Sequence, residues 1–280
     1  MNSKKKWKTA FGWSLGLLAA FIVFSGCLLP SAESRSERVS LDGSTSMEKV
    51  IGTLGEAFEQ EQSETGFVYN PTGSTTGIQS VLEKRCDIGL SSRKLTDSEK
   101  EQGLRSAVLA LDGIVLITGK DNPVHDLSSE TIRKIYTGKI TNWKEAGGSD
   151  QEIVLIGREA GSGTRDGFEE ALGIKNKCLY RQELTSSGDI RNAVISNPAA
   201  VGYISLASLK DDVKALSVDG IVPSESSIQD GTYPVCRPFL MVVRRDEPLS
   251  EPAQKFMDFA LSEKGAPYIE KAGAVSPYAE

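Results

Sequence analysis

Three times in this chain a short apolar run ends in a hydroxyl- and glycine-rich loop that opens an amphipathic helix, and that junction restricts the fold more than any other feature. Residues 39–41 lead into Gly43-Ser44-Thr45, after which Met47, Val50, Ile51, Leu54, Ala57 and Phe58 recur at helical spacing. Residues 67–69 lead into Gly73-Ser74-Thr75, with Ile78, Val81 and Leu82 behind it. Residues 153–156 lead through Arg158 into Gly161-Ser162-Gly163-Thr164, with Phe168, Ala171 and Leu172 following. Strand, loop and helix in that order call for α/β architecture. They also place a set of helix N-termini where the sequence is rich in hydroxyls. A helix start leaves backbone N–H groups unpaired and carries partial positive charge, so an oxyanion gains hydrogen bonds and dipole attraction there. Arg158 and Arg165 add guanidinium forks suited to a tetrahedral oxyanion. The three loops follow no fixed period, so they are one chemistry reached at three places and not a repeat.

The remaining pattern continues the alternation. Further strands are expected at residues 87–90, 108–111, 114–118, 201–205 and 239–243, with Asp112-Gly113 as a turn between the runs at 108–111 and 114–118. Ser128 and Ser129 cap a helix that reaches Tyr136 and stops at Gly138. Another helix follows Ser186-Ser187-Gly188 and ends before Pro198, and the last helices begin near Ala253. Lys120-Asp121-Asn122-Pro123 marks a boundary between two lobes.

Lys4, Lys5, Lys6 and Lys8 precede an apolar stretch over residues 11–24, the layout of an export signal over residues 1–26. Residues 28–37 are polar and serine-rich, as a tether would be. The formal net charge of −6 falls to about −10 once the four signal lysines are gone, which disfavours nucleic acid as a partner and makes any anion site local. Cys86, Cys178 and Cys236 allow at most one internal disulfide, with the pair left open. Their spacing fits no zinc motif, His125 is the only histidine, and no cofactor is expected. His125, Trp143 and the methionines read as structural residues. Nor is the chain read as an enzyme. Gly161-Ser162-Gly163 lacks the spacing of a nucleophile elbow, and the loop lacks the endings of phosphate-cradling nucleotide motifs.

Six segments, taken in order, resemble the substrate-binding proteins of bacterial phosphate ABC transporters. They are Gly43-Ser-Thr-Ser-Met47, Gly73-Ser-Thr-Thr-Gly77, Asp87-Ile-Gly-Leu-Ser-Ser-Arg93, Ile135-Tyr-Thr-Gly-Lys-Ile-Thr-Asn-Trp143, Arg158-Glu-Ala-Gly-Ser-Gly-Thr-Arg165 and Asn197-Pro-Ala-Ala-Val-Gly-Tyr203. The resemblance covers the chain after residue 38. It implies a periplasmic-binding-protein-like fold of type II, with two α/β lobes, a two-strand hinge and ligand in the cleft. Lobe I would take residues 38–117 and 240–280, and lobe II residues 118–239. It implies inorganic phosphate held by Thr45, Ser46, Ser74, Ser92, Arg93, Arg158, Ser162, Gly163 and Thr164. Delivery would be to permease subunits driven by a separate ATPase, by a monomer.

Phe24-Ser25-Gly26-Cys27 resembles a lipobox, with Cys27 lipidated as the membrane anchor and residues 27–37 as anchor and tether. Two departures bear on selectivity. Better-known members carry an aspartate where this chain has Ser92 and an acid where it has Ala160. Protonated phosphate needs an acceptor and sulfate does not, so Ser92 or the neighbouring acid Glu159 must serve. The alternatives are the same fold binding sulfate, molybdate or tungstate, or a surface scaffold without transport.

Overall fold

A computed structural model describes residues 38–278; the signal segment, Cys27 and the tether lie outside the described residues. Among the described residues no helix is long and apolar enough to cross a membrane.

The first half opens with β1 (Arg38–Gly43), a 3-10 turn (Thr45–Met47) and α1 (Glu48–Glu61), whose apolar stripe buries Val50, Ile51, Leu54 and Phe58. Each such side chain contributes roughly 1.5–3 kcal/mol on leaving water. Then come β2 (Gly66–Pro71), α2 (Ser74–Leu82), β3 (Ile88–Ser91) and the short α3 (Asp97–Glu101). Strands β2, β1 and β3 run parallel, as strand–helix–strand connections require.

Next is β4 (Leu104–Thr118), 15 residues without interruption. Sequence reasoning placed a turn at Asp112-Gly113 within it, and the structure corrects this. Asp112 is fully buried inside the strand, where Arg237 reaches it through Nε at 3.0 Å and Nη2 at 2.8 Å, and Ser205 Oγ donates to it at 2.7 Å. Local turn chemistry lost to a buried charge pair whose partner lies 125 residues away.

The second half follows with β5 (Asp126–Leu127), α4 (Ser129–Tyr136), β6 (Val154–Arg158), α5 (Gly163–Ala171), β7 (Gln182–Leu184), α6 (Ser187–Ser196) and β8 (Ala200–Ser205). Short pieces β9 (Lys214–Ala215), β10 (Ser217–Val218) and α7 (Glu225–Gln229) lead to β11 (Cys236–Arg244), α8 (Glu251–Ala260) and α9 (Ala266–Lys271). The main sheet has the order β2-β1-β3-β11-β4-β8-β6-β7, with β9 beside β4.

The whole of β11 pairs antiparallel with residues 104–113 of β4, the rest of β4 pairs with β8, and the two strands serve both halves. Leu109, Ala110, Phe239, Met241 and Val243 pack in one apolar core with α1, α8 and α9, whereas Ile114, Leu116 and Val235 pack in another with Phe168 and Tyr203. The cores therefore change over between Ala110 and Ile114 on β4, and between Val235, just before β11, and Phe239 on it. This is a two-lobed α/β protein with two strands as its hinge, and the Asp112–Arg237 pair sits at the crossover. Cys86, Cys178 and Cys236 are free thiols.

Candidate functional site

The three loops meet. Each precedes a helix whose apolar face is fixed by packing, α1 in the first core, α5 in the second and α2 in a smaller cluster with Leu104, Leu240 and Val242, so that their N-termini are aimed into the cleft. Across it Thr75 N–H donates to the Gly161 carbonyl at 3.1 Å, and Ser46 Oγ lies 2.7 Å from Thr164 Oγ1. Ser92 Oγ receives a hydrogen bond from Ser44 at 2.8 Å and lies 3.2 Å from Ser74 Oγ, while Ser92 N–H donates to Ser74 Oγ at 3.0 Å. Ser44, Ser46, Ser74, Ser92, Ser162 and Thr164 are all buried. Gly163 faces this cluster so closely that a Cβ there would lie 2.4 Å from Ser74 Oγ and 2.6 Å from Ser92 Oγ. Gly43 is needed for a different reason, since its φ of +144° and the Leu90 carbonyl 2.1 Å from any Cβ exclude a side chain.

Arg158 stands at the end of β6 with 1% of its surface exposed. Its guanidinium donates to oxygens of uncharged groups: Thr164 Oγ1 at 3.3 Å, Thr45 Oγ1 at 3.0 Å, and the Leu184 and Thr185 carbonyls at 3.2 and 2.6 Å. None of its nitrogens forms an ion pair among the described residues. Burial, with Arg237 close by, pulls its pKa down to about 10, so it stays a cation at neutral pH. A buried cation without a carboxylate is costly, and an anion offered to it would be bound strongly. Tyr203 OH accepts the Arg158 backbone N–H at 3.2 Å and its ring stacks on Phe168 at 4.1 Å, which fixes where the guanidinium begins.

The other two arginines of the loops, Arg165 and Arg93, are engaged. Arg165, expected to offer a second fork, pairs with Glu169 at 2.9 Å and Glu183 at 2.8 Å, and also donates to the Arg158 carbonyl. Its partner Glu169 stands one helical turn on, a spacing the sequence displayed. Arg93 forms two bonds with Glu99, at 2.9 and 2.8 Å, and reaches across the cleft to Asp166 at 3.2 Å. Ser162 Oγ caps α5 by accepting the Arg165 N–H at 3.4 Å, which leaves its own proton free to donate elsewhere. Glu159 is half-buried, with Oε1 4.0 Å from the Cβ position of Gly73. Sequence reasoning missed Asp42, a buried carboxylate beneath the cluster that accepts from Thr72 and Ser80. Its alternation with Leu41 on β1 gave no hint that it would be covered by α2.

The chain was compared with known proteins. Residues 30–264 match the PBP superfamily domain. The phosphate-binding protein PstS of Bacillus subtilis is 31% identical over 246 residues, covering 78% of each chain. The chain belongs to the phosphate-binding protein family. Within that family, PstS of Borreliella burgdorferi is 27% identical over 270 residues, covering 92% of this chain and 96% of that one. A structure from Clostridium perfringens, assigned as a phosphate ABC transporter substrate-binding protein and solved with bound phosphate, superposes with a TM-score of 0.83 at 42% identity, over 86% of this chain and 99% of the other. An ABC-type phosphate transport receptor from Vibrio cholerae gives 0.72 at 34%, over 86% and 100%. This is a family of substrate-binding transport proteins and not of enzymes.

Proposed function

We propose that this protein captures inorganic phosphate in the cleft between its lobes and hands it to an ABC importer. The observation that carries this reading is Arg158, a buried guanidinium ringed by hydroxyls from both halves and by no carboxylate. Phosphate would take charge-assisted hydrogen bonds from Arg158, from the first N–H groups of α5 at Gly163 and Thr164, and from the hydroxyls of Thr45, Ser74, Ser92, Ser162 and Thr164. Ser46, through Thr164, closes the ring. Arg93 acts in this reading as a clasp, joining the Ser92 loop to Asp166 on α5, instead of touching the ligand. Because the donors belong to two lobes, phosphate interacts with the closed arrangement better than with an open one and shifts the hinge equilibrium toward it.

The relatives' names support phosphate as the ligand, and the C. perfringens structure holds it. The lobes are taken as residues 38–117 with 240–280, and 118–239. Lipidation at Cys27 rests on the sequence and would hold the protein on the outer face of the membrane as a monomer; incorporation of a palmitate label that is lost in Cys27→Ala tests it.

Titration of the full chain with phosphate, with sulfate and arsenate as competitors, tests the function. Tight phosphate binding that sulfate fails to displace is the expected result. Absence of phosphate binding, or preference for sulfate or tungstate, would overturn it.

A further inference from the structure

The chain reaches from lobe to lobe a third time. After α9 the backbone runs beside β4, where Leu111 N–H donates to the Val275 carbonyl at 2.8 Å and Val275 N–H donates to the Leu111 carbonyl at 2.9 Å. On its other side Leu111 faces Pro238 of β11, so three chain passages lie at one level of the hinge. The third changes cores there as the other two do. Ala274 is buried in the first core, whereas Val275, 8% exposed, is buried in the second with Leu111 packed against that core. Successive Cα atoms are only about 3.8 Å apart, so two neighbours anchored in different cores leave no slack between them.

Beyond Val275 the segment returns. Tyr278 OH donates to the Val108 carbonyl at 2.7 Å, on the part of β4 that belongs to the first lobe, and Tyr278 N–H donates to Ser276 Oγ at 3.1 Å. The segment is thus a strap fixed to the first lobe on both sides, by Ile269, Ala272 and Ala274 before Val275 and by Tyr278 after it. Its grip on the second core is one side chain. An isolated residue pair is also an element that opens at low cost. When the lobes part, the first lobe carries the strap with it, and Val275 has to give up its apolar burial. That loss opposes opening.

We propose that residues 274–278 form a third hinge strand that biases the cleft toward its closed arrangement, with Val275 as the positioning residue that engages the second lobe. Val275 acts from the hinge, by keeping the donors of the two lobes assembled. Closure is measured without phosphate, whatever the cleft binds; only the affinity arm of the test rests on the proposed function.

The reporter of closure is Thr75 N–H, a first-turn donor of α2 whose partner is the Gly161 carbonyl across the cleft. Amide exchange at Thr75 is followed in the phosphate-free full chain for wild type, Val275→Asp and Val275→Ile, and phosphate affinity is measured by calorimetry. In Val275→Asp a charge bars the side chain from the second core. Thr75 is then expected to exchange about tenfold faster while amides inside α1 and α5 keep their wild-type protection, and phosphate affinity to fall by a similar factor. Val275→Ile is expected to match wild type in both readouts. Unchanged exchange at Thr75 overturns the strap, as does unchanged phosphate affinity beside faster exchange. Equal acceleration inside α1 and α5 also overturns it, since Val275 would then serve packing alone, and so does a loss in Val275→Ile as large as in Val275→Asp. Failure of wild type to bind phosphate overturns the proposed function and leaves Thr75 exchange to decide the strap. Should Val275→Asp not fold, Val275→Ala is measured against the same outcomes, with about threefold expected at Thr75.

Discussion

Replacing Gly163 by alanine separates closure from folding. The new methyl would stand 2.4 Å from Ser74 Oγ, 2.6 Å from Ser92 Oγ and 2.9 Å from the Ser92 carbonyl carbon. Ordinary contacts of this kind are about 3.5–4.0 Å, so the facing surfaces must part by roughly 1 Å. All three atoms belong to the other lobe, and Gly163 is the first residue of α5 with an unstrained backbone. Neither lobe's own packing is touched. Alanine in place of glycine even favours the helix slightly, by up to about 1 kcal/mol. The penalty therefore falls on the closed arrangement alone, at about 1–3 kcal/mol by comparison with overpacked interiors. Phosphate affinity should drop by roughly five- to 150-fold, because the binding-competent population shrinks by that factor. Calorimetry measures the affinity, and a melt without phosphate measures folding. Unchanged affinity in Gly163→Ala would sink the claim that the cradle is assembled across the cleft, as would a fall in Tm equal to the loss of binding.

Three further expectations follow from charges. Arg158→Met should weaken phosphate binding by about 2–5 kcal/mol while the phosphate-free Tm holds or rises, because a buried cation without a carboxylate is removed; calorimetry and a thermal melt check the two halves. Asp112→Ala should destabilise the fold by about 3–5 kcal/mol in urea unfolding, since it strands the buried Arg237 at the hinge. Although burial pushes Glu99 up, bonds from Arg93 and Thr96 hold it below the usual carboxylate range. A lowered folded pKa gives stability present above the unfolded value and lost as pH falls through the folded one. Arg93→Gln should thus cost about 1.5–3 kcal/mol near neutral pH, with the difference from wild type shrinking in acid; chemical unfolding across pH is the measurement.

Periodicity made most of the fold legible. Helices α1, α4 and α8 carry apolar stripes that only one core can bury, and Ser128 marks the α4 start by accepting the Thr131 N–H at 3.0 Å. Strand β4 was not legible as one strand, because Asp112-Gly113 is strong turn chemistry and the arginine that overrides it lies far along the chain. A charge inside each of two long apolar runs, at Asp112 and Arg237, was the available signal. The site's parts were visible as hydroxyl loops, but their convergence is a tertiary property. The i,i+4 spacing of Glu169 from Arg165 was a visible sign that Arg165 would be engaged, but nothing in the sequence distinguished Arg158 from Arg93 as an anion ligand. The distinction comes from Glu169, Glu183, Glu99 and Asp166, which occupy two of the three guanidinium groups.

The same accounting of charge and protons bears on selectivity. At Ser92 the hydroxyl accepts from Ser44 and shares a further bond with Ser74 Oγ at 3.2 Å, which leaves either its own proton or one lone pair to point at a ligand, according to which of the two serines donates. A carboxylate in that place could only accept, so it would bond a protonated phosphate and repel sulfate at the same point. The serine can turn its proton toward sulfate and its lone pair toward the phosphate hydroxyl, so it discriminates less. Ser92→Asp is then expected to lower sulfate affinity while phosphate affinity is kept or raised, provided the larger side chain finds room beside Gly163. Competition calorimetry decides it. Equal loss of both anions would place the discriminating acceptor elsewhere, with Glu159 over Gly73 the nearest acid to examine, and parallel loss in a Ser92→Asn variant would assign that outcome to size and not to charge.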